Sequence, residues 1–377
     1  MAETPFDEVR AWISAALPFW AEHGVDREHG GFLEEVGFDG APTACAFKRV
    51  RVICRQTYVF AHAAEQGWAP GAELSRFGSD YLIAKAKLEH GWARALSREG
   101  AVIDATNDLY DIAFVLFALA WRYRVSRDPE VLRHLHATLD FVQTHMRGPV
   151  AGFWPELPAR GERRQNPHMH LTEASLAAFE ATQDQRFLDQ ADELVALFRA
   201  HVFDGVTLGE HFDADWRRTG GENGRTLEPG HHFEWAWILA QHQRLAGGDV
   251  SGEARALVAF AERTGVDASS HAVYDAVRDD GAPLRKSSRA WTNTERIKGW
   301  LALSELTGED ARAPVTQSLR LLFDRYCAGQ TPGLWVDQFD GEGRPLSSAV
   351  PASIVYHLLL AFYETLRLEP RLKAQAP

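Results

Sequence analysis

The chain repeats itself about every 61 residues, and this period constrains its fold more than any other feature. Six segments share a small residue, then aromatic or aliphatic residues, then a charged turn usually closed by glycine. They run Gly31 to Gly40, Gly91 to Gly100, Gly152 to Gly161, Gly205 to about Asp215, Ala272 to Gly281, and Gly333 to Gly343. The closing glycines at 40, 100, 161, 281 and 343 leave room for one degenerate copy, the fourth. Such a period marks an array of supersecondary units rather than separate domains.

Between these segments the apolar residues recur at helical spacing. The pattern predicts helices over 4–22, 47–66, 71–89, 108–125, 128–147, 168–182, 184–202, 230–246, 250–265, 289–306, 310–327 and 348–368. Thr4-Pro5 and Asp128-Pro129 place proline in a first turn, while Gly148-Pro149 and Glu369-Pro370 read as stops. The second helix of each pair is apolar nearly all round, as in Ile112 to Trp121, which marks it as buried. Six helix pairs with one buried member satisfy every apolar face by closing into a ring. The expected fold is all-α, an (α/α)6 barrel forming one domain over 1–377. A linear solenoid is the competitor, but such arrays end in polar caps, and the last helix here is as apolar as the middle ones.

Composition excludes several function classes. The opening residues have neither a basic start nor an apolar core, so no secretory leader is expected. The longest apolar run is half a membrane span. Cys45, Cys54 and Cys327 are too scattered for a disulfide framework or a zinc site, which suits the cytoplasm. A net charge of −12 without a basic cluster argues against nucleic acid. Twelve tryptophans supply flat faces of the kind that stack on sugars, although most should simply pack the core.

If the inner helices all start at one face, their N-terminal ends converge on a common pit. It would receive Arg55, Asp108, Tyr110, Asp111, Asn166, His170, Glu173, His231, Glu234, Trp291, Glu295 and His357. His170-x-x-Glu173 and His231-x-x-Glu234 lie 61 residues apart, and Glu295 follows Glu234 by the same interval, with Thr292 in the histidine slot. This spacing predicts that His170 and His231 occupy equivalent turns. Residues three apart on a helix are neighbours, so each glutamate could accept from one imidazole nitrogen and leave the other as acid or base. A metal is the alternative use of such groups, although di-iron bundles use the reverse order, Glu-x-x-His; neither a metal nor a cofactor is expected. His168, His232, His271 and the surface-patterned His134, His136 and His145 read as ordinary residues.

Arg55-Gln-Thr-Tyr, Asp108-Leu-Tyr-Asp-Ile-Ala-Phe114, Asn166-Pro-His-Met-His-Leu-Thr-Glu-Ala174, Gly230-His-His-Phe-Glu-Trp235, Trp291 with Glu295, and Tyr356-His357 together resemble the N-acylglucosamine 2-epimerase superfamily. The likeness is to its bacterial branch of mannose isomerases and sugar 2-epimerases. It implies metal-independent proton transfer at C1 and C2 of an unphosphorylated sugar. It also implies His231 and His357 as the catalytic pair, Glu234 orienting His231, and Arg55 holding the sugar oxygens. Tyr110, Asn166, His170, Glu173, Trp291 and Glu295 would line the site. Mannose–fructose isomerisation is favoured, because the chain lacks insertions that would build disaccharide subsites. The alternative is 2-epimerisation of mannose or glucose, cellobiose, or an N-acyl hexosamine. The expected partner is a monosaccharide alone, with neither nucleic acid nor membrane, bound by a monomer or homodimer. An inverting glycosidase using Asp108 or Glu156 with Glu234, or a sugar- or protein-binding module without activity, are readings from other classes.

Overall fold

A computed structural model describes residues 4–374 and places a long helix in each of the twelve predicted stretches. Residues 1–3, part of the segment read for a leader, and residues 375–377, the end of the expected domain, lie outside the described residues. The helices are α1 (Pro5–His23), α2 (Val50–Glu65), α3 (Pro70–Lys85), α4 (Leu109–Ser126), α5 (Pro129–His145), α6 (Gln165–Thr182) and α7 (Gln185–Leu197). A five-residue helical turn, α8 (Gly221–Arg225), precedes α9 (Pro229–Ala246), α10 (Ser251–Gly265), α11 (Ala290–Thr307), α12 (Arg312–Leu321) and α13 (Val355–Ala374).

Local chemistry sets several ends. Thr4 caps α1 and shares a reciprocal capping box with Asp7, and the Asp128 carboxylate accepts from the Glu130 amide at 2.9 Å to start α5. The stop expected at Pro370 is not one, because α13 carries Pro370 in its last turns and continues to Ala374. Near a helix end, the single backbone bond that proline removes is readily absorbed.

Packing closes the ring. Among the inner helices, α2 lies against α4, α4 against α6, α6 against α9, α9 against α11, α11 against α13, and α13 against α2. Around them sit α3, α5, α7, α10, α12 and α1. The first outer helix therefore completes the last pair, and the short strand Glu35–Val36 runs antiparallel to Val350–Pro351. This contact between the two ends of the sequence makes an (α/α)6 barrel and excludes the open solenoid. In α4, Ile112, Ala113, Val115, Leu116, Ala118, Leu119 and Ala120 are all inaccessible to solvent, as an all-apolar helix inside a ring must be. Each large side chain so buried contributes about 1.5–3 kcal/mol. Among the described residues no helix is long and apolar enough to cross a membrane.

After each outer helix a short hairpin returns to the start of an inner helix, and its tight turn explains the glycine period. Gly40, Gly100, Gly161, Gly281 and Gly343 all have φ between +79° and +93°. The degenerate fourth turn keeps this conformation without glycine: Trp216 has φ +64° and donates its amide to the Asp213 carbonyl, as Gly343 does to Asp340.

Candidate active site

The N-caps of the six inner helices are Arg49, Asp108, Arg164, Glu228, Arg289 and, before the 3-10 turn that leads into α13, Pro351. Side chains six residues past these caps form one layer across the barrel axis: Arg55, Phe114, His170, Glu234, Glu295 and His357. Three residues deeper lie Tyr58, Phe117, Glu173, Trp237, Lys298 and Leu360. Five of the residues expected to react or bind, Arg55, His170, Glu234, Glu295 and His357, thus occupy one turn, each from a different helix.

This register corrects the predicted equivalence of His170 and His231. His170 lies six residues past its cap, whereas His231 lies only three past Glu228, because α8 lengthens the fourth loop. His231 is one turn nearer the mouth, and Glu234 takes the layer that His170 occupies on the neighbouring helix.

The two His-x-x-Glu pairs consequently behave differently. Nδ1 of His170 meets Glu173 Oε2 at 3.1 Å, as the spacing predicts, and Glu173 also accepts from the Tyr356 hydroxyl at 2.6 Å. His231 does not use Glu234. Its Nδ1 lies 3.0 and 3.1 Å from the two oxygens of Glu210, a residue of the fourth hairpin that Gln165 Nε2 fixes at 2.9 Å. The expectation that Glu234 orients His231 is therefore overturned: a side chain on the preceding loop reaches the imidazole, while Glu234 turns toward the next layer. There it lies 4.0 Å from His170 Nδ1, is almost wholly buried, and neither oxygen has a hydrogen-bond partner among the described residues.

The third imidazole is paired across helices. His357 Nδ1 lies 2.8 Å from Glu295 Oε1, and Glu295 Oε2 lies 2.8 Å from the ammonium of Lys298. Trp291 stands between the two expected catalytic histidines, its ring centroid 5.3 Å from His231 and 5.6 Å from His357. On the opposite wall Arg55 donates to the Tyr110 hydroxyl at 2.7 Å and to the Ser353 carbonyl at 3.2 Å, and its guanidinium covers the Phe114 ring at 4.2 Å. Asn166 Oδ1 is a further buried acceptor without a partner among the described residues.

Two expected pit residues are spent on helix starts instead. Asp108 accepts from the Tyr110 amide at 2.9 Å, and Asp111 accepts from the amide of Arg51 at 2.9 Å and pairs with its guanidinium. His168 and His232 are structural, as expected: each occupies the fourth residue past its cap and accepts a hairpin amide, from Phe153 at 3.0 Å and Leu208 at 3.1 Å. Asn293 takes the same place and role on α11, accepting from Val273 at 3.0 Å. His134, read as a surface position, is instead buried on α5 beside Trp92.

Electrostatics separates the two paired imidazoles. Burial disfavours charge on His231, but the Glu210 and Glu228 carboxylates outweigh it and raise the ring to about 9. For His357, burial is joined by the Arg55 and Lys298 cations, and the ring is held well below its ordinary value. Environments that drive two titratable groups apart are those that produce an acid and a base in one site. Sequence reasoning missed Glu210 and Lys298. Glu210 lies in the degenerate repeat, where no register pointed to it, and Lys298 follows Glu295 by three residues on a helix read as buried.

Two triads, His170–Glu173–Glu234 and Glu234–Glu295–His357, have donor atoms close enough to hold a metal ion. Two of these carboxylates are already engaged, Glu173 by Tyr356 and Glu295 by the Lys298 ammonium, which sits where a dication would be repelled.

The sequence model described as N-acylglucosamine 2-epimerase (GlcNAc 2-epimerase) matches residues 30–361. A mannose-6-phosphate isomerase of Rhizobium meliloti is 33% identical over 370 residues, covering 95% of each chain. A D-mannose isomerase of Thermobifida fusca is 29% identical over 335 residues, covering 80% of each. Among solved structures, a D-mannose isomerase superposes with a TM-score of 0.87 at 22% identity, over 96% of this chain and 97% of that one.

Proposed function

Because the chain belongs to the N-acylglucosamine 2-epimerase family, we propose that it is an aldose–ketose isomerase of free hexoses, mannose and fructose foremost, working through one catalytic domain. The observation that carries this reading is the pair of imidazoles flanking Trp291, each with a carboxylate on Nδ1 and Nε2 left uncommitted. His357, held neutral, is suited to remove the proton from C2 of the open-chain aldose. His231, held cationic, is suited to protonate the ring oxygen during opening. Loss of the C2 proton puts negative charge on the O1–C1–C2–O2 unit, and Arg55, with its partner Tyr110, supplies fixed donors for that cis-enediolate. Returning a proton to C1 gives the ketose. The open oxygens of Glu234 and Asn166 are left to accept from sugar hydroxyls.

A phosphorylated substrate is suggested by the Rhizobium meliloti relative, but three rim arginines are already engaged. Arg49 pairs with Glu34, Arg94 with Asp104, and Arg289 with Asp275. Arg94 also reaches Glu156 at 3.5 Å and Asp108 at 4.0 Å, which ties up the carboxylates a glycosidase would need. Delivery of the proton to the opposite face of C2 by the same residues would give 2-epimerisation. Incubating chelator-treated enzyme with mannose, mannose 6-phosphate, glucose or cellobiose in D2O, followed by NMR, separates these outcomes. Deuterium at C1 of fructose from mannose is expected. Label confined to C2 of an epimer would make the enzyme an epimerase, exclusive turnover of the phosphate ester would change the substrate, and inactivity restored by one divalent ion would require a metal.

A further inference from the structure

Lys298 is fully buried in the catalytic barrel, one helical turn below Glu295, in a layer otherwise filled by aromatic, aliphatic and carboxylate groups. A buried ammonium without compensating partners is costly to keep, because burial strips it of water. Its surroundings supply the partners. Its Nζ lies 2.8 Å from Glu295 Oε2 and 4.4 Å from the centroid of the Trp237 ring that covers it. Glu234 on α9 and Glu173 on α6 add two more buried carboxylates whose fields act on the same ammonium. Glu295 in turn faces His357 from α13 and Glu234 from α9, with donor atoms of all three within 4.8 Å of one another.

The chemistry of His357 depends on which partner in that contact carries the proton. An ionised Glu295 can only accept, so His357 must present Nδ1–H to it and keep the Nε2 lone pair free. A protonated Glu295 would donate to Nδ1 instead, placing the ring proton on Nε2, and the imidazole could no longer take a proton from carbon. Burial, with the neighbouring Glu234 and Glu173 carboxylates, works toward that failure and holds Glu295 well above the usual carboxylate range even beside Lys298, whose ammonium is the foremost influence in the other direction.

Building on the isomerase reading above, we propose that Lys298 is a positioning residue for proton transfer. Its ammonium draws Glu295 toward the ionised form and so favours the His357 tautomer whose Nε2 is free to act as base. Lys298 touches no substrate in this arrangement. It acts through Glu295, which acts through the imidazole.

The test is a double-mutant cycle with pH profiles, using Lys298→Met, Glu295→Gln and the double variant, with His357→Ala as reference. In Lys298→Met the proton favours Glu295, so kcat at neutral pH should fall at least tenfold while KM changes less than about threefold. The acidic limb of kcat should move to higher pH by more than one unit, because activity returns as Glu295 ionises. In the Glu295→Gln background, Lys298→Met should change kcat less than threefold, since its target is gone. That double variant also keeps the test alive if Lys298→Met alone folds poorly, because removing both members of a buried pair costs much less than removing one. A folded Lys298→Met enzyme with kcat within threefold of wild type and an unmoved acidic limb would overturn the proposal, as would an equal loss in both backgrounds. An active His357→Ala enzyme would instead overturn the isomerase mechanism on which it rests.

Discussion

The two ends of the barrel use the same six helices in opposite ways. Sixteen residues past each cap, at the rear, stand Glu65, Arg124, Glu180, Arg244, Glu305 and Arg367, an unbroken alternation of sign around the ring. Arg124 lies 2.5 Å from Glu65 and 3.2 Å from Glu180, Arg244 lies 3.1 Å from Glu180, and Arg367 lies 2.6 Å from Glu305. Six residues past the same caps the repeat breaks down: arginine, phenylalanine, histidine, two glutamates and histidine share one layer. At the rear one rule sets the sign of charge on every helix, and the pairs it forms lie in partly exposed positions, where a pair is worth about 0.2–1 kcal/mol. In the front layer, burial multiplies the consequence of each charge, and no two adjacent helices play the same part. Repetition builds the frame, and departure from it builds the site.

The largest effects should come from the front. His357→Ala and His231→Ala should each lower kcat on mannose by about 10²–10⁴, the range for a lost general base or acid, with folding preserved by circular dichroism. His90, exposed at the rim of α3's hairpin, is the control and should remain near wild type when changed to alanine. Near-normal turnover by both active-site variants would remove the contrast between the two ends, since the front would then be frame as well.

How much of this was legible in the sequence follows the same contrast. The ring and its helix pairs were readable because each apolar face and each glycine turn recurs, and the turns demand a left-handed backbone. The pit residues were readable as a set because inner-helix starts converge. The partner of His231 was not. The 61-residue interval joins His170 to His231 in sequence, yet α8 shifts the fourth helix by one turn, so equal spacing concealed unequal depth. Glu210 reaches the imidazole from a loop, where no helical periodicity constrains direction. Sequence spacing identifies neighbours within one helix, as for His170 and Glu173, but pairs between helices, such as His357 with Glu295, depend on where each helix starts.

A smaller effect sharpens the distinction between the two glutamates near His231. With Glu210 in place, the imidazole is raised above its unfolded value to about 9, so its ion pair stabilises the fold fully below about pH 6.5 and is lost as pH rises through about 9. Glu210→Gln should remove that pH-dependent stability, lower kcat at neutral pH about tenfold, and move the alkaline limb of kcat to lower pH. Glu234→Gln should leave the alkaline limb nearly in place and act chiefly on KM, because its carboxylate has no bond to His231. Thermal unfolding and kcat profiles from pH 6 to 10 decide the matter. A larger alkaline-limb shift in Glu234→Gln than in Glu210→Gln would restore the helical partner that the sequence suggested.

The smallest effect belongs to the rear ring. Glu180 pairs with arginines on both sides, so Glu180→Gln breaks two of the contacts at once and tests the ring more severely than any end member would. Each pair is partly exposed, so the summed loss should be about 0.4–2 kcal/mol, and less at high salt, where screening weakens both. For a chain of this size that corresponds to a fall in Tm of a few degrees at most. Turnover should stay within about twofold of wild type, because Glu180 lies two helical turns beyond Glu173 and the catalytic layer does not depend on its charge. A Tm loss of similar size at low and high salt would show that packing, rather than paired charge, holds the rear together. A fall in kcat beyond about threefold would show that the two ends are coupled along α6, and the division between frame and site would have to be redrawn around Glu173.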